Sequence, residues 1–172
     1  MRKKSAQNKY NCLVLAAGRG ENDPMAREFH VPHKCLLPIA GKPMISRVLQ
    51  SLDKSPLITG TFVSIESKQV LRQVPKFENY IVKNGENIVT TADHALLTPK
   101  MIEDFLASAE NMACDLAACL VHERDISNAY PEVKRTYLRF SDGGYSGGNL
   151  FALMNEESLK LVEFWQHIER ER

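Results

Sequence analysis

CLVLAAGRGENDP, from Cys12 to Pro24, is apolar for its first six residues, turns on small ones and then becomes charged. A short apolar run that breaks into a glycine loop is one way a buried strand delivers backbone amides to a phosphate. The strand is expected from about Asn11 to Ala16. Ala16, Ala17 and Gly18 have side chains too small to keep a flat base or a phosphate from the main chain.

Two phosphate-binding patterns fail on spacing. Gly18-Arg19-Gly20 is followed by Glu21, Asn22 and Asp23, so the third glycine of the dinucleotide fingerprint is missing. Leu36 stands where a Walker loop needs its first glycine before Gly41-Lys42, and Pro43 replaces the magnesium-binding hydroxyl. What remains is a strand, a long polar loop carrying Arg19 and Arg27, and then HKCLLPIAGKPM (33–44). Lys34 closes that loop, and Lys42 is expected at the start of the next helix, where the dipole adds to its charge.

Outward from this block, Met44, Ile45, Val48, Leu49 and Leu52 recur at helical spacing behind Pro43. Ile58 to Ile65 reads as a strand, and Lys68 to Gln73 as a weak helix stopped by Pro75. YIVK (80–83) and NIVTTAD (87–93) are short strands. Thr98 and Pro99 form an N-cap and N1 pair for a helix with Met101, Ile102, Phe105 and Leu106 on one side. CDLAACLVHE (114–123), TYLRFSD (136–142) and NLFALM (149–154) read as strands, and Asn155 caps a last helix with Leu159, Val162, Trp165 and Ile168. Strands alternating with amphipathic helices predict an α/β three-layer sandwich, a mostly parallel sheet covered on both faces. Ligands in such sheets sit beyond the carboxyl ends of the strands, which points to Gly18–Lys34, Asp93 and GGYSGGN (143–149).

With 172 residues and 44% hydrophobic content, the chain is expected to be a single domain with its own core. A formal charge of +1, evenly spread, gives no field for nucleic acid or an anionic membrane. The basic start followed by an apolar run imitates a signal peptide, but the run is short and SAQNKYN separates it from the charges. Cys12, Cys35, Cys114 and Cys119 lack metal-ligand spacing; Cys114 and Cys119 are expected on opposite faces of one strand. Reduced, buried thiols in a cytoplasmic protein are expected.

LVLAAGRG (13–20), HKCLLPIAGKPMISRVL (33–49), VTTADHALL (89–97) and SGGNLF (146–151) together resemble the NTP-transferase superfamily of the molybdenum-cofactor guanylyltransferase and cytidylyltransferase type. The likeness covers about residues 11 to 170, and DPMA (23–26) resembles a less characterised bacterial branch. It implies the nucleotide-diphospho-sugar transferase fold, which is GT-A-like and Rossmann-like. It also implies a magnesium-dependent nucleotidyltransferase joining a nucleoside triphosphate to a phosphorylated small-molecule acceptor with release of pyrophosphate.

The resemblance assigns roles residue by residue. Leu15, Ala16, Ala17 and Gly18 border the base and ribose, while Gly18, Arg19 and Gly20 border the triphosphate, with Arg27 competing with Arg19 as its arginine. Lys34 stabilises charge at the α-phosphate, and Asp93 holds Mg2+; a cap for the turn before Thr98 is the alternative for Asp93. Gly147 and Gly148 admit the acceptor to the chain, and Asn149 offers it donor and acceptor groups; a plain glycine hairpin is the alternative for SGGN. A phosphate nucleophile is ionised at neutral pH and needs no base, so His94 reads as a turn residue. Lys134 and Arg135 read as surface charge, with contact to an acceptor phosphate as the alternative, and Trp165 reads as core.

The chain departs from the family's pattern at three places. Asp23 and Pro24 stand where an arginine-methionine pair is common. Only NGE (84–86) separates YIVK from NIVTTAD, too few residues for a parallel crossover, so either the strands join by a simple turn or residues are missing near Asn84. Relatives continue past FWQHIERER (164–172), often with a second metal carboxylate, and the domain is expected to be incomplete there too. Two other functions stay open. A nucleotide-sugar glycosyltransferase usually has an Asp-x-Asp motif that TADH lacks, and a nucleotide-binding or regulatory protein of this fold would bind without turnover.

Overall fold

The computed structural model describes residues 9–18, 23–74 and 87–160. The expected strand at YIVK, the junction at NGE and the last helix with Trp165 lie outside the described residues.

The strands are β1 (Tyr10–Leu15), β2 (Pro38–Ile39), β3 (Lys42–Pro43), β4 (Ile58–Ser64), β5 (Asn87–Thr91), β6 (Leu116–His122), β7 (Leu138–Phe140) and β8 (Gly143–Leu153). The helices are α1 (Pro24–Glu28), α2 (Met44–Lys54), α3 (Pro99–Met112) and α4 (Glu123–Ala129), with 3-10 turns at Lys34–Leu36 and Lys68–Gln73. The main sheet runs β4-β1-β5-β8-β6, with β7 also paired to β8. β4 and β5 lie parallel to β1. β5, β6 and β7 are each antiparallel to β8. Only β8 is reversed among these strands, so the other five end at one edge of the sheet, and β8 begins there. This is the mixed, mostly parallel α/β sheet expected from the alternation.

Register explains which face is packed. Cys12, Val14, Ile88, Thr90, Leu150, Ala152 and Ala117 fall on one face and are buried. Against them stand Ile45, Val48 and Leu52 of α2 and Ile102, Leu106 and Ala109 of α3. Each large aliphatic chain so buried contributes about 1.5–3 kcal/mol relative to exposure. The Tyr10 hydroxyl donates to Glu110 Oε1 at 2.6 Å, tying the start of β1 to α3.

Local signals produced the caps. Thr98 accepts from the Met101 amide at 3.2 Å with Pro99 at the start of α3, as expected. The same logic builds α1 inside the loop read as irregular: buried Asp23 accepts from the Met25 and Ala26 amides at 3.0 and 3.1 Å, with Pro24 as the first helical residue. His122 caps α4, a second helix absent from the sequence reading, whose first turn carries Glu123 and Asp125.

Three expectations are corrected. Lys42 lies on the exposed β2–β3 ribbon and not at a helix start; Ala40 and Gly41 turn that ribbon with positive φ before α2 begins at Met44. SGGN forms no hairpin, because one strand, β8, runs from Gly143 to Leu153, and the hairpin turn is at Ser141 and Asp142. All four cysteines are free; Cys114 precedes β6 and only Cys119 lies on it.

Candidate active site

At the carboxyl ends of β1 and β5 the chain encloses a cavity of about 210 Å3. Leu15, Ala16 and Ala17 form one wall, Thr91, Ala92 and Asp93 the other, and His33, Lys34, Cys35 and Met44 close it. The two walls are joined by the sheet itself, since the Ala92 amide donates to the Leu15 carbonyl at 2.9 Å. The Ala16 amide donates to Ser64 at 2.9 Å, so that N–H continues the ladder and is not offered to a ligand.

Lys34 and Asp93 converge on the cavity. Lys34 Nζ donates to Asp93 Oδ2 at 2.9 Å, and the Thr91 hydroxyl donates to Oδ1 at 2.6 Å. Burial raises the Asp93 pKa, but the bonds from Thr91 and Lys34 and the lysine charge outweigh it and hold the carboxyl below its ordinary value. Both side chains are about one-third exposed, 35% and 39%, so the pair is hydrated and can open for a ligand.

His33 positions Lys34. Its Nδ1 accepts from the Cys35 amide at 3.1 Å and caps the 3-10 turn that carries the lysine, so Nε2 holds the ring proton. Nε2 lies 2.9 Å from Glu66 Oε1, without hydrogen-bond geometry. The ring packs on Gly18: a Cβ at that position would overlap it, with Cδ2 only 2.9 Å away. The glycine is needed here for close approach. Burial pushes the Cys35 thiol up to about 12, so it lines the cavity as a thiol and not as a nucleophile.

Of the residues expected from sequence, Leu15, Ala16, Ala17, Gly18, Lys34 and Asp93 meet here. Arg27 is exposed on α1 and does not line the cavity, while Arg19 and Gly20 lie outside the described residues. Gly147, Gly148 and Asn149 sit in a bulge of β8 beside the end of β5, where the Asn149 carbonyl accepts from Thr90 at 2.8 Å. Sequence reasoning missed His33, Thr91 and Met44. Thr91, two residues before Asp93, was the one with a readable signal, a hydroxyl within local reach of a carboxylate.

No three His, Cys, Asp or Glu among the described residues cluster to hold a metal. Mg2+ keeps several waters and takes one or two carboxylates plus substrate phosphates, so a lone Asp93 with hard oxygen donors at the cavity rim fits that ion.

The cytidylyltransferase family model matches residues 30–162, more than half of the chain. The chain belongs to the cytidylyltransferase family. A search of curated proteins returned no match. Among solved structures, a hypothetical transferase from Thermus thermophilus superposes with a TM-score of 0.71 at 24% identity, over 95% of this chain and 73% of that one. CMP:2-keto-3-deoxy-manno-octonic acid synthetase complexed with CTP gives 0.58 at 16% identity, over 86% and 74%. 4-Diphosphocytidyl-2C-methyl-D-erythritol synthase from Anaerococcus prevotii gives 0.59 at 7%, over 94% and 76%. These likenesses place the chain in the nucleotidyltransferase fold. The family match includes Lys34, Asp93 and the β8 bulge. No helix among the described residues is long and apolar enough to cross a membrane.

Proposed function

We propose that this cytidylyltransferase transfers the cytidylyl group of CTP to a phosphorylated small-molecule acceptor, with Mg2+, releasing pyrophosphate. What carries the reading is the 2.9 Å approach of Lys34 and Asp93 at the rim of a cavity walled by Leu15, Ala16 and Ala17. The cavity is smaller than the roughly 300–1,000 Å3 that encloses a whole ligand, so it accommodates part of a nucleotide and leaves the phosphates at the lysine. The resemblance to the molybdenum-cofactor type allows guanylyl or cytidylyl transfer, and the family match favours the cytidylyl group.

An acceptor phosphate oxygen attacks the α-phosphorus in line. The new P–O bond forms as the bond to pyrophosphate breaks, and the ionised acceptor has no proton to lose. Catalysis then rests on position and charge. Lys34 would leave Asp93 to meet the α-phosphate, and Asp93 would hold Mg2+, which would supply neutralising charge there. Thr91 keeps the carboxylate turned to the cavity, and His33 keeps the lysine's turn against Gly18.

Pyrophosphate release with each of the four NTPs, Mg2+ and a panel of sugar phosphates tests this. CTP is expected to support release, and Lys34→Ala to lower kcat about 100-fold or more with a smaller effect on CTP affinity. CTP binding without release from any acceptor would favour the regulatory alternative. No binding of any triphosphate would end both readings.

A further inference from the structure

The β8 bulge is held from both sides. Ala118 of β6 pairs with Phe151 and Leu120 with Gly147, so two steps along β6 face four along β8. On the β6 side, Gly148 rests on Cys119, and a Cβ there would lie 2.6 Å from Sγ. On the β5 side stands Asn149, at φ +52, a left-handed conformation that an Asn adopts when its surroundings hold it.

Thr90 reaches the Asn149 carbonyl, and His94 reaches Thr90. Thr90 is fully buried, and its hydroxyl donates its one hydrogen to the Asn149 carbonyl at 2.8 Å. The same oxygen lies 3.2 Å from His94 Nδ1 and has only lone pairs left for it, so Nδ1 carries the ring proton and donates. His94 is itself set in its turn, its amide donating to Thr91 at 3.2 Å and its carbonyl accepting from Leu97 at 3.0 Å.

We propose that His94 is a positioning residue: with Thr90 it clips the Gly147–Asn149 bulge to the end of β5, and so sets where an acceptor meets Lys34 and Asp93. The acceptor half of this rests on the transferase reading above, whereas the clip itself does not. An Asn at position 94 places its Nδ2 donor where the imidazole has Nδ1, and a Leu offers no donor.

Amide hydrogen exchange of the full ligand-free chain tests the clip. His94→Leu and Thr90→Val are expected to speed exchange of the 148–150 segment tenfold or more, with β1 and α3 unchanged, while His94→Asn stays within about twofold of wild type. Kinetics with the best sugar phosphate of the panel tests its role: His94→Leu should raise KM for that acceptor at least tenfold, leave KM for CTP unchanged, and be rescued by His94→Asn. Unchanged exchange at 148–150 in His94→Leu would overturn the proposal. So would a fall in kcat with unaltered acceptor KM, which would place the histidine's effect on Asp93 instead. If no sugar phosphate is turned over, the transferase reading fails while the exchange rates still decide the clip.

Discussion

Lys34 and Asp93 lie 59 positions apart and share a 2.9 Å hydrogen bond. In the ligand-free protein each neutralises the charge that the proposed function needs the other to present to phosphate or metal. The carboxyl is held below its ordinary value by Thr91 and Lys34 against the upward push of burial, so its folded-state pKa lies below its unfolded one. The stabilisation is therefore fully present above the unfolded value, about pH 4, and is lost as pH falls through the folded one. Lys34→Ala removes one bond and the charge, so the Asp93 midpoint should rise. Carboxyl 13C shifts followed through an acid titration check this; an unmoved midpoint would show that Thr91 alone sets the value. At this scale it was the place that was legible: Leu15–Gly18, Lys34 and Asp93 were expected beyond the strand ends and meet at one cavity there, where ligands of such sheets sit. Arg27 was not placed by sequence: α1 carries it to an exposed position away from the cavity lining.

The most readable elements were those closed by their own neighbours. Thr98 and Pro99 announced α3 because a cap bond spans three residues. Asp23 and Pro24 form the same kind of pair, yet with only five residues α1 gives no apolar period to read. The other end of α3 is strained: Ala113 ends it at φ 48, ψ 45, where a side chain costs about 1–2 kcal/mol and glycine little. Ala113→Gly should stabilise the protein by about 1 kcal/mol, since glycine's greater freedom when unfolded returns part of the gain. A denaturant midpoint that rises with an unchanged m value would confirm it, and a fall would show that Ala113 contributes packing the exposed cap does not suggest. β8 was read only from Asn149 onward, because glycines at 143, 144, 147 and 148 suggested a loop; inside a sheet they serve close approach and a bulge.

For the molecule as a whole, ligand binding couples to folding. The cavity draws on β1, β5, α2 and the 3-10 turn at Lys34, so a nucleotide in it joins elements far apart in the chain. A ligand bound only by the folded state at 100 times its Kd adds about 2.7 kcal/mol. For a chain of this size that corresponds to about 5–11 °C in Tm. CTP with Mg2+ should give such a shift and the other NTPs smaller ones at equal concentration; equal shifts for all four would remove the cytidine assignment.

The sequence by itself determined the alternation of strands and helices, the caps and the small-residue corner at 16–18. Each of these arises from residues within a turn or two of one another, where periodicity and hydrogen-bond reach act directly. Only the tertiary structure decided that β8 runs against its neighbours, that it bulges at Gly147–Asn149, and that Lys34 and Thr90 each find a partner 59 positions away. An alternating pattern tells a strand which face to bury, but its backbone N–H and C=O groups are the same at every position. Neighbour, direction and register are therefore settled only when the strands meet.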